Sequence, residues 1–373
     1  MKILVTGAKG FIGKNLVRVL SRLGHLVYSF DADNTEEELR HYVSQSDFII
    51  HLAGVNRPLK KEEFYDGNVN FSKKLLDIVR SEGSKASIIF SSSTQAALDN
   101  DYGKSKRMAE ELFFEESSSR QIYVYRLYNV FGKGCRPGYN SVIATWCDAV
   151  ISDKPITINE NDPSIDFVYI DDVISSFLMA IDGKLHTTSS EAEILYPSTH
   201  YKKKLSEVLA LLRSFKKSRE DLMVPLQDGF SKKLYATYLS YLPPDSFSYD
   251  LQTHEDDRGS FTECLHFPTY GQVSVNVSHP GITKGNHYHE TKNEKFLCVS
   301  GDVIIRFRKV GGEDVYEYHC SDKKMEIVDI PPGYTHSIET VGEKDSVTLM
   351  WANETYDPDN PDTYREDVLK DDK

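Results

Sequence analysis

The sequence predicts a two-part chain: an α/β domain built on a parallel sheet, followed by an all-β barrel or jelly roll. Three observations predict it. The length of 373 residues is roughly two domains at about 150 residues each. In the first half, short apolar runs alternate with helical patterns, which implies βαβ units. From about residue 250 onward the rhythm changes to short alternating runs punctuated by Gly and Pro, as in an all-β domain.

Residues 2–6 form the first apolar run, and a Gly-rich segment follows it. Leu16, Leu20 and Leu23 then recur at the spacing of an amphipathic helix. His25 to Phe30 is a second strand, and after a charged helical stretch Asp47 to Gly54 contains a third. Ser87 to Ser91 and Ile122 to Arg126 repeat the signal. A helical stretch over 203–242 leads to Pro243-Pro244, the boundary between domains 1–243 and 244–373. Beyond it, Gln272 to Val277 alternates strictly, and Val303 to Arg308 and Val347 to Trp351 do so more loosely. Turn signals stand at Pro280-Gly281, Gly311-Gly312 and Pro331-Pro332-Gly333. The tail after Asp357 is polar and acidic and is read as carrying no chemistry.

Charge and composition narrow the function classes. A formal net charge of −13 disfavours nucleic acid and anionic membrane as partners. No apolar run approaches the roughly 20 residues that span a bilayer. The N-terminus lacks the charged and apolar regions of a signal peptide. Five scattered cysteines without a CxxC pair point to a reducing cytoplasm rather than a disulfide framework or a four-cysteine zinc site.

Thr6-Gly7-Ala8-Lys9-Gly10-Phe11-Ile12-Gly13 follows a strand and opens a helix. Glycines there let the backbone turn tightly and approach a pyrophosphate, which sits on the helix N-terminus. The alternative, a plain cluster of turn glycines, does not explain the strand–loop–helix context. Tyr102 and Lys106 stand four apart, on one face of a helix. An ammonium beside a phenol lowers its pKa and lets it exchange protons near neutrality. Ser91-Ser92-Ser93-Thr94 ends the preceding strand, where a hydroxyl could polarise a carbonyl.

Together these residues resemble the extended short-chain dehydrogenase/reductase family, with its Rossmann-like fold, over about residues 1–240. The resemblance extends to Leu52-Ala53-Gly54, to Arg126-Leu127-Tyr128-Asn129 and to the run Asp166 to Val173. It implies that Tyr102 donates a proton and Lys106 holds the nicotinamide ribose. Ser93 then grips the substrate oxygen, and Asn129 lines the sugar site. Only nine positions separate Ser93 from Tyr102, where the family usually inserts a longer loop, so Ser93 and Thr94 both stay open for the hydroxyl. The arginine that many relatives place before Asp-Phe is Ile165 here. Cofactor choice rests on two opposed residues. Asp31, after the second strand, suits the ribose 2′-hydroxyl of NAD, unless it is an N-cap or a solvated charge; Lys9 suits the 2′-phosphate of NADP.

The second half carries Gly281, His287-Tyr288-His289, Glu294 and Gly301, then Pro331-Pro332-Gly333-Tyr334-Thr335-His336. Histidines two apart on a strand face the same way. Three nitrogens and a carboxylate suit Zn²⁺, and also iron, nickel or manganese. A metal-free jelly roll with buried histidines is the alternative. The spacing resembles the cupin motifs, with Thr340 in place of the usual Asn. Asp256 to Glu263 resembles the D-x-R-G-x-F-x-E signature of deoxysugar 3,5-epimerase cupins, which implies that Arg258 contacts a nucleotide sugar. In those epimerases a histidine at the position of His287 is a base, and a metal-bound nitrogen cannot also accept a proton. The metal reading is preferred here because His289, Glu294 and His336 are all present.

Both domains suit one object, a 4-keto nucleotide sugar. The ketone acidifies the C3 hydrogen, and a metal or a cation such as Lys284 could stabilise the enolate. The same ketone accepts a hydride. The whole chain is similar to bifunctional capsular-polysaccharide enzymes that fuse a reductase to a cupin epimerase. That resemblance implies a homodimer acting toward UDP-N-acetyl-L-fucosamine. It implies C3 epimerisation of a UDP-2-acetamido-2,6-dideoxy-4-hexulose, then NADPH-dependent C4 reduction to a UDP-6-deoxy-L-talose derivative. The rivals are a 4-epimerase or dehydratase that retains its nicotinamide cofactor, and a non-catalytic sugar-nucleotide sensor.

Overall fold

The computed structural model describes residues 1–184, 194–267 and 269–370. The chain forms two compact units: Met1–Arg213 with Gln227–Leu242, and Ser214–Leu226 with Pro243–Lys373. Ser214–Leu226 goes with the second unit, which a single cut at Pro243-Pro244 does not provide for. Its hydrogen bonds explain this: His266 N donates to Leu222 O at 2.9 Å, and Arg219 reaches Ser246 O at 2.7 Å.

In the first unit a six-stranded sheet runs in the order Leu26–Phe30, Lys2–Thr6, Phe48–His51, Ser87–Ser93, Ile122–Leu127, Ile194–Leu195, all pairs parallel. Its strands are apolar on both faces because both are covered; Ile3, Leu4, Val5, Ile49, Ile50, Ile88 and Ile89 are buried. Helix Phe11–Arg22 follows the first strand and buries Leu16 and Leu20. Leu23 falls on its C-cap and is 54% exposed, so the apolar stripe is one residue shorter than its spacing predicts. The first strand leads outward to the second, whereas the third lies on its other side. That reversal opens a crevice at the strands' C-terminal ends, where α/β sheets bind their ligands. A smaller sheet of Asn129–Phe131, Ser164–Tyr169 and Tyr201–Lys204 belongs to the same unit. The predicted helical stretch over 203–242 is two helices, Leu205–Asp221 and Gly229–Leu239. Among the described residues no helix is long and apolar enough to cross a membrane.

The second unit is a cupin-like pair of antiparallel sheets. One runs Thr253–Asp256, Gly259–Phe267, Gly271–Ser278, Ser346–Ala352, Glu294–Ser300, Ile327–Ile330. The other runs Val315–Ser321, Asp302–Lys309, Tyr334–Thr340, Thr283–Tyr288, Tyr364–Arg365. Phe296, Val303, Ile305, Phe307, Val328 and Ile338 form its apolar core. Strand Gly271–Ser278 alternates as its sequence predicts, but with its polar side inward. Gln272, Ser274, Asn276 and Ser278 are buried, whereas Val273, Val275 and Val277 are partly exposed. A strand with its valines outside and its amides inside lines a polar cavity rather than a hydrophobic core.

Candidate functional site

The glycine loop of the first unit has no room for side chains at two points. Gly7 has φ +69°, the left-handed region, and a Cβ there would lie 2.7 Å from Ala53 N. At Gly13 a Cβ would lie 2.2 Å from Gly7 O. Gly10 N donates to Gly7 O at 3.0 Å and caps helix Phe11–Arg22, so Phe11 and Ile12 form its first turn. Leu52, Ala53 and Gly54 leave the third strand beside this loop; Leu52 N donates to Thr6 O at 3.2 Å and Ala53 N to Thr6 Oγ1 at 3.3 Å. The cradle fits a dinucleotide diphosphate: tightly turned backbone and a helix N-terminus with free N–H groups.

The two residues that oppose each other over cofactor choice are joined. The Asp31 carboxylate accepts the backbone N–H of Lys9 at 2.8 Å and of Ala32 at 2.9 Å. The Lys9 ammonium pairs with Asp33 at the surface, where each side chain is 64% exposed. Asp31 is not a helix N-cap; Thr35 caps the next helix in a capping box with Glu38.

Tyr102 and Lys106 lie on helix Asp101–Glu115, whose N-cap Asn100 accepts from Gly103 N at 2.7 Å. Burial pushes the Tyr102 phenol up, and a hydrogen bond to Ser93 pulls it down. The sequence assigned that downward pull to Lys106; in the structure it comes from Ser93, because Lys106 turns elsewhere. Its ammonium donates to Ser91 O at 2.7 Å and lies 4.4 Å from the centre of the Phe90 ring. Burial pushes Lys106 down to about 8, with Glu110 acting in the opposite direction. Ser93 is the hydroxyl that acts on the Tyr102 phenol, whereas Thr94 opens a short 3₁₀ turn.

Three groups in this site escaped the sequence reading. Glu110 is buried one turn beyond Lys106 and binds Arg126 through Nε at 2.9 Å and Nη2 at 2.7 Å, and Ser92 at 2.5 Å. Its i+4 spacing from Lys106 was the available signal. Asn68, in a π-helical turn, exchanges two 2.9 Å bonds with the Val55 backbone and donates to Ser105 Oγ at 2.9 Å. His51 is buried between Thr6 Oγ1 at 2.7 Å and Ser72 Oγ at 3.0 Å, and burial, then Lys106, pushes it down to about 3. Asn129 is exposed, with Nδ2 3.4 Å from Asp166 O.

In the second unit His287 sits opposite His336 across neighbouring strands, with ring centroids 4.6 Å apart. His289 lies just past the end of the His287 strand, and Glu294 begins a strand of the other sheet. One donor atom from each of the four residues lies within 4.8 Å of every other. His289 Nε2, Glu294 Oε2 and His336 Nδ1 are buried without a hydrogen-bond partner. Buried orphans of this kind are costly unless something binds them; a histidine–carboxylate set fits a divalent cation. Burial, then His336 and His289, pushes His287 down to about 4, so its nitrogen is free to act as a ligand. Against the upward push of burial, His289 and His336 hold the Glu294 carboxyl well below the usual range.

The four donors line a cavity of about 450 Å³ together with Lys284, Asn276 and Glu263. Lys284 Nζ donates to Asn276 Oδ1 at 2.9 Å and Val277 O at 3.0 Å, and burial lowers its pKa. Arg258 is not brought there. It stands on the turn before Gly259, exposed, and its guanidinium binds Asp256 at 2.6 Å and 3.1 Å. The sequence could not show that a carboxylate two residues away captures it.

Residues 3–191 match the NAD dependent epimerase/dehydratase family, and residues 254–364 match the polysaccharide biosynthesis C-terminal domain. A UDP-2-acetamido-2,6-beta-L-arabino-hexul-4-ose reductase of Pseudomonas aeruginosa is 45% identical over 368 residues, 98% of each chain. The crystal structure of the capsular polysaccharide assembling protein CapF from Staphylococcus aureus is similar over 99% of this chain and 100% of that one, at 47% identity and a TM-score of 0.91. The spore coat polysaccharide biosynthesis protein SpsL of Bacillus subtilis is 34% identical over 127 residues, 31% of this chain and 83% of that protein.

Proposed function

We propose the activity from one premise: the chain belongs to the NAD dependent epimerase/dehydratase family, among relatives that add a polysaccharide biosynthesis C-terminal domain. It is a bifunctional nucleotide-sugar enzyme. The cupin unit epimerises C3 of a UDP-2-acetamido-2,6-dideoxy-4-hexulose, and the first unit reduces the C4 ketone with NADPH to the UDP-6-deoxy-L-talose derivative. The observation that carries this reading is the pairing, in one chain, of Tyr102 and Lys106 on one helix of the glycine-loop unit and a four-donor cavity that also holds Lys284.

For reduction, the bound nicotinamide supplies the hydride to C4. Tyr102 supplies the proton to O4, since burial keeps its phenol protonated at neutral pH. Ser93, whose hydroxyl lowers the phenol's pKa, shares that oxygen. Lys106, fixed on Ser91 O, holds the ribose of the cofactor. For epimerisation, a C3 proton made acidic by the C4 ketone leaves one face and returns to the other. Lys284, anchored by Asn276 and Val277, offers its ammonium to the enolate oxygen. His287, His289, Glu294 and His336 hold one Zn²⁺, which supplies positive charge to the cavity.

Incubation with the UDP-4-keto-6-deoxy-HexNAc and NADPH tests the reading. One NADPH consumed per product, with inversion at C3 by NMR, is expected. Turnover without net cofactor consumption would instead identify an epimerase or dehydratase that retains its cofactor.

NADPH is the preferred reductant, because Lys9 stands at the loop beside the end of the second strand. Lys9→Ala is expected to lower kcat/KM for NADPH more than for NADH. An equal loss for both, or a wild-type preference for NADH, contradicts this.

The active form is a homodimer. Thr262, Val275, Leu349, Leu297 and Ile327 form a cross-strand row on the outer face of the six-stranded cupin sheet. Leu349 is 38% and Ile327 61% exposed. Such an in-register row, apolar from Val275 to Ile327, suits a second copy of the same sheet. Sedimentation should show a dimer that Leu349→Glu converts to monomer; a monomeric wild type, or an unaffected dimer, rules this face out.

A further inference from the structure

The tail after Asp357, left without a role by the sequence, closes the outer side of the four-donor cluster. Asp362 O lies 2.6 Å from His289 Nδ1. A carbonyl oxygen only accepts, so Nδ1 carries the hydrogen and the lone pair of the neutral ring is on Nε2. Nε2 is the nitrogen that faces the cluster: buried, unpartnered and 3.4 Å from Glu294 Oε2. The Asp362 carboxylate accepts the backbone N–H of Glu290 at 3.1 Å, Thr291 at 2.9 Å and Lys292 at 2.7 Å, and the Thr291 hydroxyl at 3.0 Å. These are the first residues after His289. One residue therefore fixes the ring with its main chain and the turn behind the ring with its side chain.

The rest of the tail holds Asp362 in place. Lys292 Nζ donates to Pro361 O at 2.7 Å. Tyr364–Arg365 pairs with His287 and Tyr288, and Glu366 N donates to Asn286 O at 3.0 Å. Asp362 itself has φ +40°, a left-handed backbone that Asp tolerates better than most residues and that four donors here hold.

We propose that residues 361–366 are a positioning strap for the metal centre, and that Asp362 holds His289 in the tautomer and orientation that bind a divalent cation. Outer partners of this kind set ligand geometry and metal affinity. The proposal rests on reading His287, His289, Glu294 and His336 as a metal centre.

Zinc transfer from the zinc-loaded full chain to a chromogenic chelator tests it. Asp362→Ala is expected to release zinc on the order of 10–100-fold faster than wild type, whereas Asp359→Ala in the same tail releases it at the wild-type rate. In ¹⁵N imidazole spectra of metal-depleted protein, wild-type His289 should be protonated at Nδ1, and the variant should mix both tautomers. If circular dichroism shows that Asp362→Ala does not fold, Asp362→Asn replaces it. It keeps an acceptor oxygen and the tolerance for left-handed backbone, and a smaller acceleration is expected. Unchanged release from the folded variant, or a wild-type His289 protonated at Nε2, overturns the strap. A wild type that holds no zinc overturns the metal centre instead.

Discussion

Tyr102→Phe abolishes C4 reduction, by on the order of 10²–10⁴-fold, the usual effect of removing a general acid, and leaves C3 epimerisation intact. The phenol lies in the first unit, whereas the cavity with Lys284 is built wholly from the second. Removing one hydroxyl takes away the proton donor for O4 and nothing from the cupin. C3 hydrogen exchange in D₂O without cofactor isolates the epimerase step. The variant should exchange at the wild-type rate and consume no measurable NADPH. Loss of exchange in the same variant would mean that the two reactions are not divided between the two units.

His336→Ala empties the metal centre. His336 lies opposite His287 with Nε2 3.4 Å from Glu294 Oε2, so its loss leaves three donors for a cation that prefers four. Elemental analysis should find about one zinc per wild-type chain and little in the variant. Donors from both cupin sheets would make a bound cation a cross-link between them. The melting midpoint of the second unit then falls, by roughly 2–8 °C for each kcal/mol of lost stability, and C3 exchange falls in parallel. Lost exchange at an unchanged midpoint would make the metal a Lewis acid at a fifth position. Zinc-free wild-type protein would refute the site. In each case the first unit keeps its dinucleotide binding, since its glycine loop folds on a separate sheet.

What could be read from the sequence was local. The glycine loop was legible because its backbone excludes a Cβ at Gly7 and Gly13 over a span of a few residues. Tyr102 and Lys106 were legible through helical spacing, and His287 and His289 through strand spacing. What stayed hidden depended on chain brought from afar or on which side of a strand faces inward. The strict alternation of Gln272 to Val277 showed a strand but not that its amides point inward and its valines outward. Glu110, on a helix, became part of the site through Arg126 and Ser92 on two strands. Asp362 meets His289 across 73 positions of sequence, and an acidic tail gives no sign of it. Arg258 is the opposite case: its motif was visible, and in the structure a carboxylate two residues away binds it.

The most direct test of one ketone serving two reactions is a single incubation in D₂O. Wild-type protein, the UDP-4-keto-6-deoxy-HexNAc and unlabelled NADPH are combined, and the product is read by NMR. One reduced product is expected, carrying deuterium at C3, from solvent, and protium at C4, from the cofactor. Protium retained at C3 in a reduced product would show that reduction proceeds without epimerisation, and would contradict that expectation.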